Sequence, residues 1–310
     1  MSFSGKAKTE LCKKNIHKPC CVRAACYGFA LFSRYLDDKG LVLQTERALV
    51  AQTAQRLFRR LGLHGEVITK QRTESVIYEF SIKDPDEVAM LLMTFGLNGN
   101  EPQLRIDSSL FVCGECFFHF LATAFLSCGT VADPAREYSL EFASSRHAAI
   151  EDLGQLLRQR GFEPGIVERK NAQLLYFKAS EQVEDLLTAM GATSASLEVM
   201  ERKVYKELRN KANRIANCEN ANIDKIVAAS GSALEAVRIL REHQCFATLP
   251  LELQEVAKLR EQYPEYSLAE LGQLLDPPLS RAGVCHRMKK LTNLAQQITH
   301  STTKDKEETR

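Results

Sequence analysis

The stretch RALVAQTAQRLFRRLGLHGEVITK, from Arg47 to Lys70, recurs in pattern as RHAAIEDLGQLLRQRGFEPGIVER, from Arg146 to Arg169. Each copy spaces its apolar residues at helical period and stops at a glycine, Gly62 or Gly161. Each resumes as an aliphatic strand, Val67-Ile68 or Ile166-Val167, closed by a basic residue. The same order follows downstream. A β-like run (Ser75 to Ile82; Gln173 to Lys178) precedes a helix (Asp84 to Thr94; Ser180 to Met190) that halts at Gly96 or Gly191. Matched punctuation at matched spacing marks an internal duplication. Upstream of each copy stands an apolar helix and then a strand: Ala24 to Leu36 with Gly40 to Gln44, and Phe111 to Pro134 with Tyr138 to Ser144. Both helices are apolar nearly all round, which predicts burial between two halves. Each half reads as helix, two strands, helix, two strands, helix.

A length of 310 residues fits two or three domains. Hydrophobic residues make up 45% and charged residues 26%, an ordinary globular balance, and the net charge of +2 says nothing about nucleic acid. No apolar run is long enough for a transmembrane helix, and MSFSGKAKTELCKK lacks the apolar core of a secretory signal. A cytoplasmic protein without a membrane partner is expected. Among 10 cysteines the one CxxC is Cys113 and Cys116, without a second pair at zinc spacing; Cys20 and Cys21 are adjacent. These read as buried free thiols, so neither a metal nor any other cofactor is expected.

The C-terminal quarter has its own signature. Ser267-Leu268-Ala269-Glu270 fits a capping box at the start of a short helix with Ala269, Leu271, Leu274 and Leu275 on its apolar side. Asp276-Pro277-Pro278 ends that helix, and Ser280 caps the next, whose Val284, Met288, Leu291, Ala295 and Ile298 form one stripe. A short helix, a tight turn and a longer basic helix make a helix-turn-helix. The far side of the last helix carries Arg281, Gly283, His286, Arg287, Lys289 and Lys290, with no acid from Pro277 to Thr303. Ser280, Arg281 and His286 are candidate base contacts, and Lys289 and Lys290 candidate phosphate contacts. Between the two regions, Lys206, Arg209, Lys211 and Arg214 read either as a phosphate-tracking helix or as a solvated linker face. Asn210, Asn213, Asn217, Asn220 and Asn222 point to a bend or to DNA contact, and Ser230-Gly231-Ser232 to a break between two helices.

The stretch LATAFLSCGTV, Leu121 to Val131, resembles the signature helix of LAGLIDADG homing endonucleases. The resemblance implies two such helices side by side, sheets forming a saddle on DNA, and a metal-binding acid at each helix end. Here Cys128 precedes Gly129, and the matching place in the first repeat is near Ser33, followed by Arg34. Asp37, Asp38 and Asp133 lie beyond that position and read as turn residues. From end to end the chain resembles the WhiA proteins of Gram-positive bacteria, through SFSGKAKTELC, CCVRAA, FLSCGTVADP with YSLEF, VYKELRNKANRIANCENANIDK and LPLELQEVAKLREQYPEYSLAELGQLLDPPLSRAGVCHRMKKL. The family implies an endonuclease-derived domain that lost cleavage and a DNA-binding C-terminal domain. It also implies roles in sporulation-type developmental transcription, cell division and chromosome segregation, on the nucleoid.

The expected fold class is α+β: a duplicated LAGLIDADG-like N-terminal domain of two pseudo-symmetric α/β halves, plus an all-α helix-turn-helix domain. The boundaries are 1–110 and 111–200 for the repeats, 201–245 for a basic helical linker, 246–300 for the helix-turn-helix and 301–310 for a disordered tail. Double-stranded DNA is the expected partner, with a second regulatory protein open, and the duplication acts as an internal pseudo-dimer. The alternatives are an interaction scaffold with weak DNA affinity and a metal-dependent endonuclease. The candidate strands mix Lys70, Arg72, Lys83, Arg169, Lys170 and Lys178 with Glu66, Glu74, Glu79, Glu141 and Glu168, a poor composition for a tight DNA saddle.

Overall fold

A computed structural model describes residues 1–71 and 76–307. The chain divides into two compact units, residues 1–207 and 208–310. In the first, helix α1 (Phe3–Lys13) precedes the duplication. The first repeat comprises α2 (Pro19–Leu31), β1 (Tyr35–Asp37), β2 (Gly40–Thr45), α3 (Ala48–Arg59), β3 (Glu66–Gln71), β4 (Val76–Ile82) and α4 (Pro85–Phe95). The second comprises α5 (Cys116–Cys128), β5 (Gly129–Val131), β6 (Leu140–Ser144), α6 (His147–Arg158), β7 (Gly165–Arg169), β8 (Ala172–Phe177) and α7 (Ser180–Met190). The predicted order therefore holds in both halves. The two apolar helices differ from the sequence reading: α2 has the expected length but starts five residues earlier, at Pro19, α5 is shorter, and β1 and β5 take up residues read as helix.

Each repeat folds its strands into an antiparallel sheet, ordered β1-β2-β4-β3 and β5-β6-β8-β7. The four glycine stops all carry positive φ, 80° at Gly62, 85° at Gly161, 67° at Gly96 and 98° at Gly191, which explains why the punctuation repeats. Leu41, Leu43, Phe80 and Ile82 from one sheet and Leu140, Phe142, Leu175 and Phe177 from the other enter one continuous core. Helices α2 and α5 lie at its centre, with ten buried residues each. A Cβ at Gly28 would stand 2.4 Å from the Phe120 carbonyl oxygen and 2.3 Å from Thr123 Oγ1, so glycine is required where the two helices touch.

Helix α8 (Thr193–Glu242) is continuous through both the asparagine-rich stretch and Ser230-Gly231-Ser232. One glycine without a proline costs a helix only about 1 kcal/mol, and Ala233, Ala236, Val237 and Leu240 bury the segment that follows. The second unit continues with α9 (Leu251–Gln262), α10 (Leu268–Gln273) and α11 (Arg281–Glu307). Its own core joins these helices through Leu253, Val256, Leu271, Leu275, Val284, Met288 and Leu291. Helix α11 runs past Ser301, where the sequence reading places a disordered tail, because neither glycine nor proline follows Gly283. Residues 308–310 of that tail lie outside the described residues, as do Arg72, Glu74 and Ser75.

Candidate nucleic-acid interface

The helix-turn-helix is built as its residues dictate. Ser267 Oγ accepts from the Glu270 amide at 3.3 Å while Glu270 Oε2 accepts from the Ser267 amide at 2.7 Å, closing the capping box. After α10 the chain turns back tightly, and the Leu279 amide donates to the Gly272 carbonyl at 2.9 Å. A side chain at Gly272 would put Cβ 2.2 Å from the Leu279 oxygen. Ser280 Oγ then accepts from the Gly283 amide at 3.3 Å and starts α11. Val284, Met288, Leu291 and Ala295 are buried on one face; Arg281, His286, Lys289, Lys290 and Asn293 are exposed on the other.

Two residues of the predicted basic face sit elsewhere. Arg287 is drawn inward, 21% exposed, with Nη2 3.1 Å from Glu252 Oε2 on α9. Gly283 is half-buried beside the Leu279 side chain. The α9–α11 pairing depends on how the two helices are phased against each other, which linear spacing does not report. On α8, Lys206 lies over the Tyr138 ring with Nζ 4.4 Å from its centre, and Lys203 pairs with Glu181 at 2.5 Å. Arg209, Lys211 and Arg214 are exposed.

In the first unit, strand register locates the helix ends where the sequence resemblance implies acids. Strand register aligns the halves: Tyr35 opposes Val42 as Thr130 opposes Glu141, Leu43 opposes Phe80 as Phe142 opposes Leu175, and Phe80 opposes Val67 as Leu175 opposes Ile166. Counting back from Tyr35 and Thr130, Ser33 is the counterpart of Cys128 and Arg34 that of Gly129. Ser33 is buried, its Oγ 2.7 Å from the Ala30 and Tyr35 carbonyls. Burial pushes the Cys128 thiol up to about 12. Cations occupy the ends of both helices. Arg146 donates to the Ala30 oxygen at 3.1 Å and to the Leu31 oxygen, and Lys8 donates to the Leu126 oxygen at 3.1 Å. Asp37 and Asp133 accept from the amides of Lys39 and Ala135, both at 2.9 Å, as turn residues do.

Residues 212–295 match the WhiA C-terminal HTH domain, and residues 117–209 match the WhiA LAGLIDADG-like domain. The probable cell division protein WhiA of Clostridium botulinum is 31% identical, with 96% of this chain and 99% of that protein covered. This chain belongs to the WhiA family. The WhiA relative of Clostridium acetobutylicum is 33% identical over 96% of this chain and 98% of its own length. The crystal structure of full-length DUF199/WhiA from Thermotoga maritima shares the fold, with a TM-score of 0.61 at 21% identity, covering 96% of this chain and 99% of that one.

Among the described residues, the central row of each WhiA sheet's outer face carries no free cation. Across the first run Gln44, Glu79 and Ile68; the corresponding row of the second is Ala143, Leu174 and Val167. Glu79 is 2% exposed, and Lys70 is spent on it at 2.6 Å. Burial alone would raise its pKa, but hydrogen bonds from Lys70 and Gln44 outweigh that and hold the carboxyl below its usual value. Lys83, Arg169, Lys170 and Lys178 are exposed. In the sequence Cys20 and Cys21 stand far from Cys113 and Cys116. The fold brings all four sulfurs together, with Cys113 Sγ 3.8 Å from Cys20, 3.5 Å from Cys21 and 3.4 Å from Cys116. Hydrogen bonds from the Cys116 thiol and the Glu115 amide lower Cys113 to about 7.

Proposed function

We propose that this WhiA chain is a non-catalytic, sequence-specific binder of double-stranded DNA. In this reading it regulates transcription on the nucleoid and contributes to cell division and chromosome segregation. The observation that carries the reading is the exposed, acid-free face at the start of α11, held in place by a buried stripe and by two serine caps. A helix of this kind enters the major groove with its N-terminal residues at base edges. Ser280, Arg281 and His286 are assigned to bases and Lys289 and Lys290 to phosphates, with Gly283 giving the backbone close approach. Arg209, Lys211 and Arg214 supply further phosphate contacts. Arg287, through Glu252, serves first to fix α11 on α9. The relatives' name, probable cell division protein, supports the division role.

Absence of catalysis is supported by Ser33 and Cys128 at the helix ends and by Arg146 and Lys8 on the adjoining carbonyls, since two cations oppose a metal there. The central rows of the sheet faces, without a free cation among the described residues, favour a protein partner for the body of the molecule over a DNA saddle.

Sites located by chromatin immunoprecipitation supply the duplex for the test. Arg281→Ala should weaken binding to that duplex about tenfold or more and relax its sequence preference. Lys289→Ala should weaken all sequences alike and lower the salt slope by about one. Unchanged affinity in both variants would exclude α11 as the reading helix.

A further inference from the structure

We propose that Cys20, Cys21, Cys113 and Cys116 hold one structural zinc ion in a closed, four-thiolate site that ties the start of α2 to the start of α5. All four sulfur atoms lie within 4.8 Å of one another. The individual separations are 3.4 Å for Cys113–Cys116, 3.5 Å for Cys21–Cys113, 3.8 Å for Cys20–Cys113 and 4.0 Å for Cys21–Cys116. A tetrahedron with zinc–sulfur bonds of about 2.3 Å has edges of about 3.8 Å, and the four separations straddle that length. Thiols acting as small apolar fillers have no reason to converge as a closed set of four from segments about ninety residues apart. No pair stands at disulfide length, and Cys113 is equally close to two partners, so no single bridge is selected.

Burial raises the Cys21 and Cys116 thiols, and a zinc ion entering the site would displace their protons. Cys20 and Cys21 lie in the first turn of α2, and Cys116 opens α5, so two helix N-termini point at the sulfurs. The Cys113 amide donates to Cys116 Sγ at 3.5 Å, an interaction that holds a ligating sulfur in place. Lys18 stands on the rim, paired with Glu115 at 3.0 Å, so the pair adds no net charge to the site. Binding balances as one zinc ion entering and the protons of the four thiols leaving. Four protein ligands leave no open position, which makes the site structural rather than catalytic. An iron–sulfur cluster is disfavoured because its cysteines are divided between two or more irons, so that not every pair could stand within the 4.8 Å found here.

The two-fold relation adds a reason. Stepping back twelve residues from Ser33 and Cys128 reaches Cys21 and Cys116, which meet 4.0 Å apart as symmetry-related residues near the axis do. Cys20 and Cys113 complete the set from non-equivalent positions. The ion would thus lock the register of the helix pair at the end opposite the one where the endonuclease acids are missing.

The test is metal analysis of the full chain, expressed with zinc and purified under reductant without chelator. One zinc per chain is expected, with X-ray absorption giving four sulfur ligands at about 2.3 Å. Cys20→Ser and Cys113→Ser should each cut the zinc content at least tenfold, while Cys218→Ser and Cys285→Ser leave it unchanged. The absorption measurement on the unaltered chain decides the matter even if the variants fold poorly. No bound zinc after incubation with an equimolar amount, a nitrogen or oxygen shell, or full metal content in both ligand variants would overturn the site. So would a disulfide among the four on mass analysis of the alkylated protein, and iron in the same shell would overturn the choice of ion.

Discussion

Arg260 is the residue on which the second unit turns. It is 2% exposed, and its Nη1 donates to the carbonyls of Pro264 at 3.2 Å and Tyr266 at 2.6 Å, with Tyr263 at 3.5 Å. One cation thereby satisfies the loop that delivers Ser267 to its cap. Arg260→Met keeps the apolar stem but strands the Tyr266 oxygen, since Pro264 keeps its bond from Ser230 and Tyr263 its bond from the Tyr266 amide, and should cost about 1–3 kcal/mol. The chain has no tryptophan, so urea unfolding followed by far-UV circular dichroism and by the fluorescence of its 8 tyrosines, the stacked Tyr263 and Tyr266 among them, would measure it. A loss under 1 kcal/mol would contradict the assignment. Lys8 makes a residue-scale prediction of the opposite kind. Burial lowers it from 10.5 to about 8, with Arg47 adding to the effect and Cys128, Cys12 and Glu46 opposing it. Below pH 8 folded and unfolded chains both carry the proton and the burial cost is felt in full. Between pH 8 and 10.5 the folded chain has released the proton that the unfolded chain still binds, so stability rises with pH. The stability of the unaltered chain minus that of Lys8→Met should therefore increase from pH 8 to 10; a flat difference would show that Lys8 is not buried as described.

Among the elements, the turn between α10 and α11 separates two kinds of fault. Ser267→Ala removes one cap from α10 and should cost about 1 kcal/mol, with DNA binding nearly kept. Gly272→Ala forces Cβ to 2.2 Å from the Leu279 oxygen, a backbone atom that cannot swing aside. The turn must open, breaking the Leu279–Gly272 hydrogen bond and moving Ser280 and Arg281 with it. Overpacking of this kind costs about 1–3 kcal/mol, and the displaced start of α11 should lower DNA affinity by more than tenfold. Thermal unfolding and binding of both variants, read side by side, check this. Equal binding losses in the two would mean that the turn does not position the reading face.

At the scale of the whole molecule, what could be read in advance was what is encoded locally. The duplication was legible because glycine stops and helical periods lie within a few residues of each other, and the capping box at Ser267 because four consecutive residues suffice to form it. Cys20 and Cys21 were not recognised as partners of Cys113 and Cys116 because only the packing of α2 on α5 unites them. The Arg287–Glu252 pair depends in the same way on α9 meeting α11. Helix α8 was misread as broken for a different reason: weak local breakers yielded to the burial of Val237 and Leu240 and to the bond from Ser230 Oγ to the Pro264 carbonyl at 2.6 Å. That helix contains the boundary between the units at residues 207 and 208, and from Glu207 to Lys225 every residue is exposed. A helical stretch without tertiary cover rests on backbone hydrogen bonds and weak propensity alone, with Asn210, Asn213, Asn217, Asn220 and Asn222 lowering the latter. Its amides should exchange hydrogen in native conditions at least a hundredfold faster than those of α2 and α5, whose side chains are almost wholly buried. Exchange followed by mass spectrometry resolves these segments. Protection of residues 209–225 equal to that of α5 would show that the bridge is held by contacts of its own, and the asparagines would then have a packing role.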